Sequence, residues 1–144
     1  MKKFSVLLFF FCFFSGYCFS QTVNSVAIVI EITNVVNKGG KVYLSIFTNA
    51  ESFKNEVPDF IYTLEDNNTI LSQELSLPTG EYVITAWQDA NGNVKMDYGL
   101  FGVPKELVGL SNYFGKGYPS KSFDKQKIFI NKMTEKIVIG LYKF

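Results

Sequence analysis

Short apolar runs, separated by turn residues, recur along this chain. Some runs are rich in β-branched residues and others alternate apolar with polar side chains, and both patterns are typical of β-strands. Seven strands are predicted, over residues 26–33, 42–48, 60–64, 70–75, 82–88, 127–130 and 137–142. Seven short strands with turn signals between them predict an all-β fold, a single antiparallel β-sandwich.

Three local predictions follow from the same pattern. The glycine-containing turn at 37–40 separates the first two strands, so we expect them to form a hairpin. One helical turn is expected at 51–54. Bulky apolar groups occupy both faces of 82–88, which predicts a central strand with Trp87 in the core.

A long connection follows, from residue 89 to about 121. It contains six glycines and two prolines, and connections of this length are usually functional or disordered. Its aromatic residues argue against disorder. We expect them to be buried as a small satellite core, since large apolar side chains are commonly buried; the alternative is a surface that stacks on sugars or contacts a protein. These aromatics are Tyr98, Phe101, Tyr113, Phe114 and Tyr118.

The N-terminus has the pattern of a secretion signal. Two lysines precede an apolar run at 4–14, and small residues lead up to Gln21. We therefore predict a signal peptide at residues 1–20 and one domain at 21–144, secreted or periplasmic. The apolar run is short for a membrane-spanning helix, so an uncleaved anchor is the less favoured alternative. Tyr17 before Cys18 argues against lipid attachment.

Composition narrows the classes of function. Both cysteines lie in the predicted signal, and the chain has no histidine and no arginine. Without the two signal lysines, 12 lysines face 13 acidic residues, a net charge of −1. This composition disfavours nucleic-acid binding and lacks imidazole bases, thiol nucleophiles and the usual zinc ligands. We therefore predict a protein that is not an enzyme, with no transmembrane segment in the mature chain.

The segment after the fifth predicted strand resembles a calcium-binding loop. Calcium binds through oxygen, and in such loops the ligands come from positions 1, 3, 5, 7 (a backbone carbonyl) and 9. These positions correspond to Asp89, Asn91, Asn93, Lys95 and Asp97. The sequence thus predicts calcium as a cofactor of this loop.

Two positions of the loop depart from the calcium pattern. Val94 occupies the sixth position, where glycine is expected, and Leu100 occupies the twelfth, where a bidentate glutamate is expected. Glu106 is the nearest carboxylate that could complete the site, although it could instead bind backbone amides. The loop could also fold without metal, because Asp and Asn hydrogen-bond to nearby backbone groups.

Several motifs resemble a family of uncharacterised secreted bacterial proteins known only as a domain of unknown function. They are LPTGEY at 77–82, WQDANGN at 87–93, Asp97, FGVPKE at 101–106 and GLSN at 109–112. The resemblance implies a β-sandwich of immunoglobulin or transthyretin type with no assigned activity. Gln88 stands where the family often has histidine, which argues against any role that needs imidazole.

These observations predict an exported binding or structural module of the cell envelope or extracellular space. The ligand and the oligomeric state are left open. The alternatives are an extracellular hydrolase that uses the loop carboxylates, for example Asp89 with Asp97 or Glu106, and a carbohydrate-binding module.

Overall fold

The computed structural model describes residues 24–144, so the predicted signal peptide at 1–20 lies outside the described residues. Eight strands, two short helices and one 3-10 turn make up this part of the chain. In order they are β1 Ser25–Thr33, β2 Val42–Phe47, α1 Ala50–Lys54, β3 Phe60–Leu64, β4 Leu71–Pro78, β5 Gly80–Gln88, the 3-10 turn Leu100–Gly102, β6 Leu107–Leu110, α2 Phe123–Gln126, β7 Ile128–Ile130 and β8 Lys136–Gly140. Among residues 24–144, no helix is both long and apolar enough to cross a membrane.

The strands form two sheets around one core. The first sheet has the order β4-β1-β8, and the second has the order β3-β2-β5-β6, with β7 pairing the start of β5. All pairs are antiparallel except β1 with β8, which is parallel. The prediction of an all-β sandwich is confirmed, and β5 is central, as its two apolar faces predicted.

Alternation along the strands determines which side chains form the core. Every second residue of β1 and of β2 points inward, from Val26, which is 8% exposed, to six residues that are at most 2% exposed. They are Ile28, Ile30 and Ile32 of β1, and Val42, Leu44 and Ile46 of β2. Burying each such side chain contributes about 1.5–3 kcal/mol, so these two rows fix the orientation of both sheets.

The predicted hairpin between the first two strands is wrong. β1 pairs with β4 and β8, whereas β2 pairs with β3 and β5, so the two strands belong to different sheets. Each has one fully apolar face, and both faces are buried when the strands lie opposite each other across the core. The connection therefore crosses from one sheet to the other, with positive φ at Asn34, Lys38 and Gly40.

Strand β6 lies inside the segment predicted as one long connection. It has four residues with Gly109 in the middle, a composition that indicates a loop rather than a strand. The glycine is needed by packing, because a Cβ there would lie 2.4 Å from the carbonyl oxygen of Gly140 in β8. The two sheets approach each other closely at this edge. This approach explains why glycine occupies position 109, which the neighbouring sequence alone does not explain.

Trp87 is not a core residue, so that prediction is wrong. It lies half-buried on the outer face of the second sheet, directly opposite Tyr43 of β2. The two rings stack with centroids 4.8 Å apart and planes 21° from parallel. The inner face of β5 is instead formed by smaller aliphatic side chains such as Ile84 and Ala86.

Candidate cation site in the loop after β5

The end of β5 is held rigidly by the connection between β1 and β2. The Gln88 side chain accepts a hydrogen bond from Val36 N at 2.9 Å, and its Nε2 donates to the carbonyls of Val36 and Gly40 at 2.8 and 3.0 Å. Asp89 N donates to the Lys41 carbonyl at 2.8 Å. Gln88 is 1% exposed, so this side chain acts as a tether that gives the loop a fixed starting point.

The loop wraps around the carboxylate of Asp89, which is 1% exposed. Its Oδ1 accepts hydrogen bonds from Gly92 N at 2.9 Å and Asn93 N at 3.2 Å, and its Oδ2 accepts one from Val94 N at 2.8 Å. Hydrogen bonds to an ionised acceptor are about twice as strong as neutral ones. Asp89 therefore organises the backbone of the loop.

Val94 adopts a backbone conformation that glycine favours. Its φ is +59°, and the left-handed region costs an L-residue roughly 1–2 kcal/mol. This is the sixth position of the calcium-loop pattern, where the expected glycine is missing. The turn is therefore present in spite of the substitution, and the Asp89 hydrogen bond to Val94 N helps to hold it.

The side-chain amides of Asn91 and Asn93 converge on one carboxylate oxygen of Asp97. The Nδ2 atoms of Asn91 and Asn93 both donate to Asp97 Oδ2, at 2.6 and 3.0 Å. The Oδ1 atoms of the two asparagines accept hydrogen bonds from Asn93 N and Lys95 N at 3.1 and 2.8 Å. The side-chain nitrogens of the two asparagines therefore face Asp97, whereas their oxygens face backbone N–H groups of the loop.

Glu106, the residue immediately before β6, joins this network. Its Oε2 accepts a hydrogen bond from Asp97 N at 2.8 Å, and the Lys105 N–H donates to the Asp97 carbonyl at 2.8 Å. Glu106 is 4% exposed, and among the described residues its Oε1 is buried without a hydrogen-bond partner. Such an unpaired buried oxygen is costly, and it lies on a carboxylate already bonded to the loop.

Five of the six predicted site residues are thus connected by hydrogen bonds or by a shared acceptor: Asp89, Asn91, Asn93, Asp97 and Glu106. Lys95 contributes its backbone N–H to Asn93, and its side chain is exposed. Within residues 24–144, no three Asp, Glu, His or Cys side chains are grouped closely enough to hold a metal. A cation here would therefore need amide and backbone carbonyl oxygens beside the carboxylates, a donor set that suits hard cations such as calcium.

Beyond Asp97 the chain forms a short hairpin. Tyr98 forms a β-bridge with Pro104, and Gly99 N donates to the Val103 carbonyl at 2.7 Å. Leu100 and Phe101 occupy its tip, 84% and 101% exposed. The hairpin is fixed to the candidate site because Asp97 and Lys105, at its two ends, are hydrogen-bonded to each other.

The predicted satellite core forms only in part. Tyr113 is 9% exposed and packs against Tyr142 and Phe144, with ring centroids 5.6 and 5.8 Å away. Phe101 and Phe114 are fully or largely exposed, and Tyr98 and Tyr118 are about half exposed, so of the five predicted aromatics only Tyr113 is buried. Composition identifies the aromatics of the connection without distinguishing those that pack from those that protrude.

Comparison of the chain with curated proteins and with solved structures found no match. A family model described as an uncharacterized protein conserved in bacteria, DUF2141, matches residues 30–138. This range extends from β1 into β8 and includes the whole Asp/Asn loop and Glu106. The resemblance to an uncharacterised bacterial family is thereby confirmed, and the chain belongs to the DUF2141 family.

Proposed function

We propose that this protein is an exported, non-catalytic binding or structural module of the envelope or extracellular space, in which calcium stabilises the loop at 89–97. One observation carries the proposal. The amides of Asn91 and Asn93 meet at Asp97 Oδ2, and the backbone N–H of Asp97 donates to a Glu106 carboxylate that has one buried and unpaired oxygen.

The hydrogen bonds around Asp97 show that its carboxylate is the acceptor on which the side-chain amides of the loop converge. Two N–H donors bind one carboxylate oxygen there. A cation could replace them at the same oxygen and would carry more positive charge than an N–H group. The side-chain amide torsion of asparagine is soft, so each asparagine could present its carbonyl oxygen to the ion. Glu106 Oε1 would add a second carboxylate and gain the partner that it lacks.

Asp89 would support this site through the backbone. Its three amide bonds hold residues 92–94 in the turn that places Asn91 and Asn93 on one side. With few carboxylates at the ion, we expect a Kd of about 10⁻⁴ to 10⁻³ M, the range of extracellular calcium modules. Calcium binding would then offset part of the entropy lost in ordering the long connection.

The contacts of the described residues favour this proposal over the hydrolase alternative. A hydrolase that used two loop carboxylates would need both of them to reach substrate, whereas both oxygens of Asp89 accept backbone amides and the Glu106 side chain is buried. The carbohydrate-binding alternative would use the exposed rings of Phe101 and Phe114, and binding to a glycan array tests it. We therefore propose a module that binds or supports rather than one that turns over substrate.

A calcium titration of the mature chain tests the proposal. About 10 mM calcium, roughly tenfold above a Kd of ~1 mM, should stabilise the domain by about 1.4 kcal/mol. This corresponds to an increase in Tm of roughly 5 °C. Trp87, two residues before Asp89, should report binding through its emission.

Two matched variants make the titration specific. Glu106→Gln keeps the shape and an acceptor for Asp97 N but removes the charge, so the calcium-dependent increase in Tm should fall to near zero. Glu74→Gln makes the same chemical change at an exposed position of β4 and should respond like wild type. An unchanged Tm at about 10 mM calcium, or an equal response in both variants, would contradict the proposal.

A further inference from the structure

Two adjacent bulky side chains protrude from the hairpin that follows the candidate cation site. Leu100 is 84% exposed and Phe101 is 101% exposed. Isolated apolar residues at a surface are ordinary, but contiguous exposed ones mark interaction sites. With Tyr98 and Tyr118, which flank them, these residues form a surface that we call the aromatic tip.

The hairpin holds Leu100 and Phe101 away from the core. The Gly99–Val103 hydrogen bond and the Tyr98–Pro104 bridge close it below the tip. Phe101 has a φ of +64°, a region that bulky residues rarely occupy. Strain of this kind persists where the surrounding structure imposes it, and it concentrates at functional positions. The protrusion is therefore a defined feature of the fold.

Two tyrosines flank the protruding pair. The Tyr118 hydroxyl donates to the Gly102 carbonyl at 3.2 Å, which places its ring beside the tip, and Tyr98 forms the base of the hairpin. Both are about half exposed, at 52% and 53%. Tyrosine has an apolar ring and a polar hydroxyl, and it is enriched where proteins meet the membrane–water interface.

The exposed charges within residues 98–122, the segment that contains the aromatic tip, are all positive. From residue 98 to residue 122 the exposed charged side chains are Lys105, Lys116 and Lys121, whereas Glu106 is buried. The Lys105 side chain runs along the hairpin, and its Cε lies 4.0 Å from the position that a Cβ would occupy on Gly99. Burial is the main cause that raises the pKa of Tyr98, and the negative charge of Glu56 raises it further. One exposed carboxylate therefore lies near Tyr98.

We propose that the aromatic tip docks on the surface of an anionic phospholipid bilayer. Leu100 and Phe101 would enter the acyl boundary, the two tyrosines would lie at the headgroups, and the lysines would contact lipid phosphates. A stable protein interface usually involves about 20–30 residues from each partner, whereas the aromatic tip consists of four. A bilayer accepts a small protruding group without a complementary pocket.

Vesicle sedimentation of the mature chain tests this proposal. The probes are vesicles of phosphatidylcholine alone and vesicles that contain phosphatidylglycerol, both in EDTA so that calcium cannot bridge carboxylates to lipid. Wild-type protein should bind the anionic vesicles, more weakly at high salt. The double variant Leu100→Ser/Phe101→Ser should bind at least about tenfold more weakly, because it loses the two inserted side chains.

A matched control removes two exposed apolar residues elsewhere. Phe129 and Met133 are 60% and 85% exposed, and Phe129 lies on β7, beside the start of β5 and far from the hairpin. Phe129→Ser/Met133→Ser should sediment like wild type, and circular dichroism should show both double variants folded.

Three results would overturn the proposal. One is absence of wild-type binding to anionic vesicles, and another is equal binding by the two double variants. The third is a concentration-dependent dimer of the wild-type chain that Leu100→Ser/Phe101→Ser abolishes, since a second copy would then cover the tip. Because EDTA is present throughout, each result is independent of the proposed calcium site.

Discussion

Replacement of Asp89 by alanine should unfold the loop after β5 and lower the stability of the whole domain. The carboxylate is buried and accepts three backbone N–H groups at 2.8 to 3.2 Å. In Asp89→Ala the N–H groups of Gly92 and Val94 lose their acceptor, Asn93 N keeps only Asn91 Oδ1, and the strained turn at Val94 loses the bond that holds it. The loop should then sample open conformations while the sheets remain paired.

The magnitude follows from the number and exposure of these hydrogen bonds. Each hydrogen bond to a charged group contributes about 1.5–3 kcal/mol net. Residues 92–94 are exposed, so water can replace Asp89 at each amide and the three contributions do not add in full. We expect a loss of about 2–4 kcal/mol in the free energy of unfolding, and hence a decrease in Tm of roughly 6–16 °C.

Urea and thermal unfolding in EDTA measure this loss without any contribution from calcium. Asp89→Asn should lose about half as much, because one oxygen remains while the new amide faces an N–H group. Asp124→Ala is the control: its carboxylate is 81% exposed in an ion pair with Lys127, and such pairs contribute about 0–1 kcal/mol. If Asp89→Ala changed stability no more than Asp124→Ala, the loop would not depend on this carboxylate.

Three further predictions concern backbone strain, pH and packing. Val94→Gly should stabilise the domain by roughly 0.5–1 kcal/mol in urea unfolding, because relief of positive φ exceeds the entropy that glycine adds; a loss would contradict the strain argument. The backbone hydrogen bond from Thr48 N lowers the pKa of Asp59, so its stabilisation is complete above the ordinary pKa and is lost as pH falls through the lowered one. NMR titration should find the pKa of Asp59 below 3.8, and Asp59→Asn should flatten the acid limb of the stability profile; a normal pKa would refute this. Gly109→Ala should cost about 1–3 kcal/mol through overpacking against β8, whereas Gly80→Ala, where the new Cβ makes ordinary contacts at 3.5 Å or more, should cost less.

Strand positions were predictable from sequence because burial leaves a local pattern. The alternation in β2 and the two apolar faces of β5 indicate strands by themselves, and they correctly identify inward rows such as Val42 and Leu44. Pairing partners were not predictable in the same way. A glycine turn between two strands has the same local composition whether it closes a hairpin or crosses to another sheet, so β1 and β2 were wrongly paired.

At the candidate site, too, local spacing could be interpreted from the sequence, whereas contacts between distant residues could not. The spacing of oxygen-bearing residues led to the prediction of a cation site, and in the structure Asn91 and Asn93 both donate to Asp97 because a tight loop constrains geometry. Cation binding by these residues stays a prediction. The backbone bonds of Asp89 and the buried, unpaired oxygen of Glu106 depend on how β6 packs beside β5. The positive φ at Val94 could not be predicted from the sequence, because a β-branched residue such as valine rarely adopts this backbone conformation.

The parallel pair of β1 with β8 has a consequence for how this protein folds. Val29 lies opposite Lys136, so the strand made first by the ribosome needs the strand made last before its sheet is complete. Contacts between distant parts of a chain slow folding to the millisecond-to-second range. Until β8 is available, β1 has an open edge that invites pairing with other chains. Nascent protein should therefore stay unfolded during synthesis and depend on chaperones more than a domain built from neighbouring hairpins.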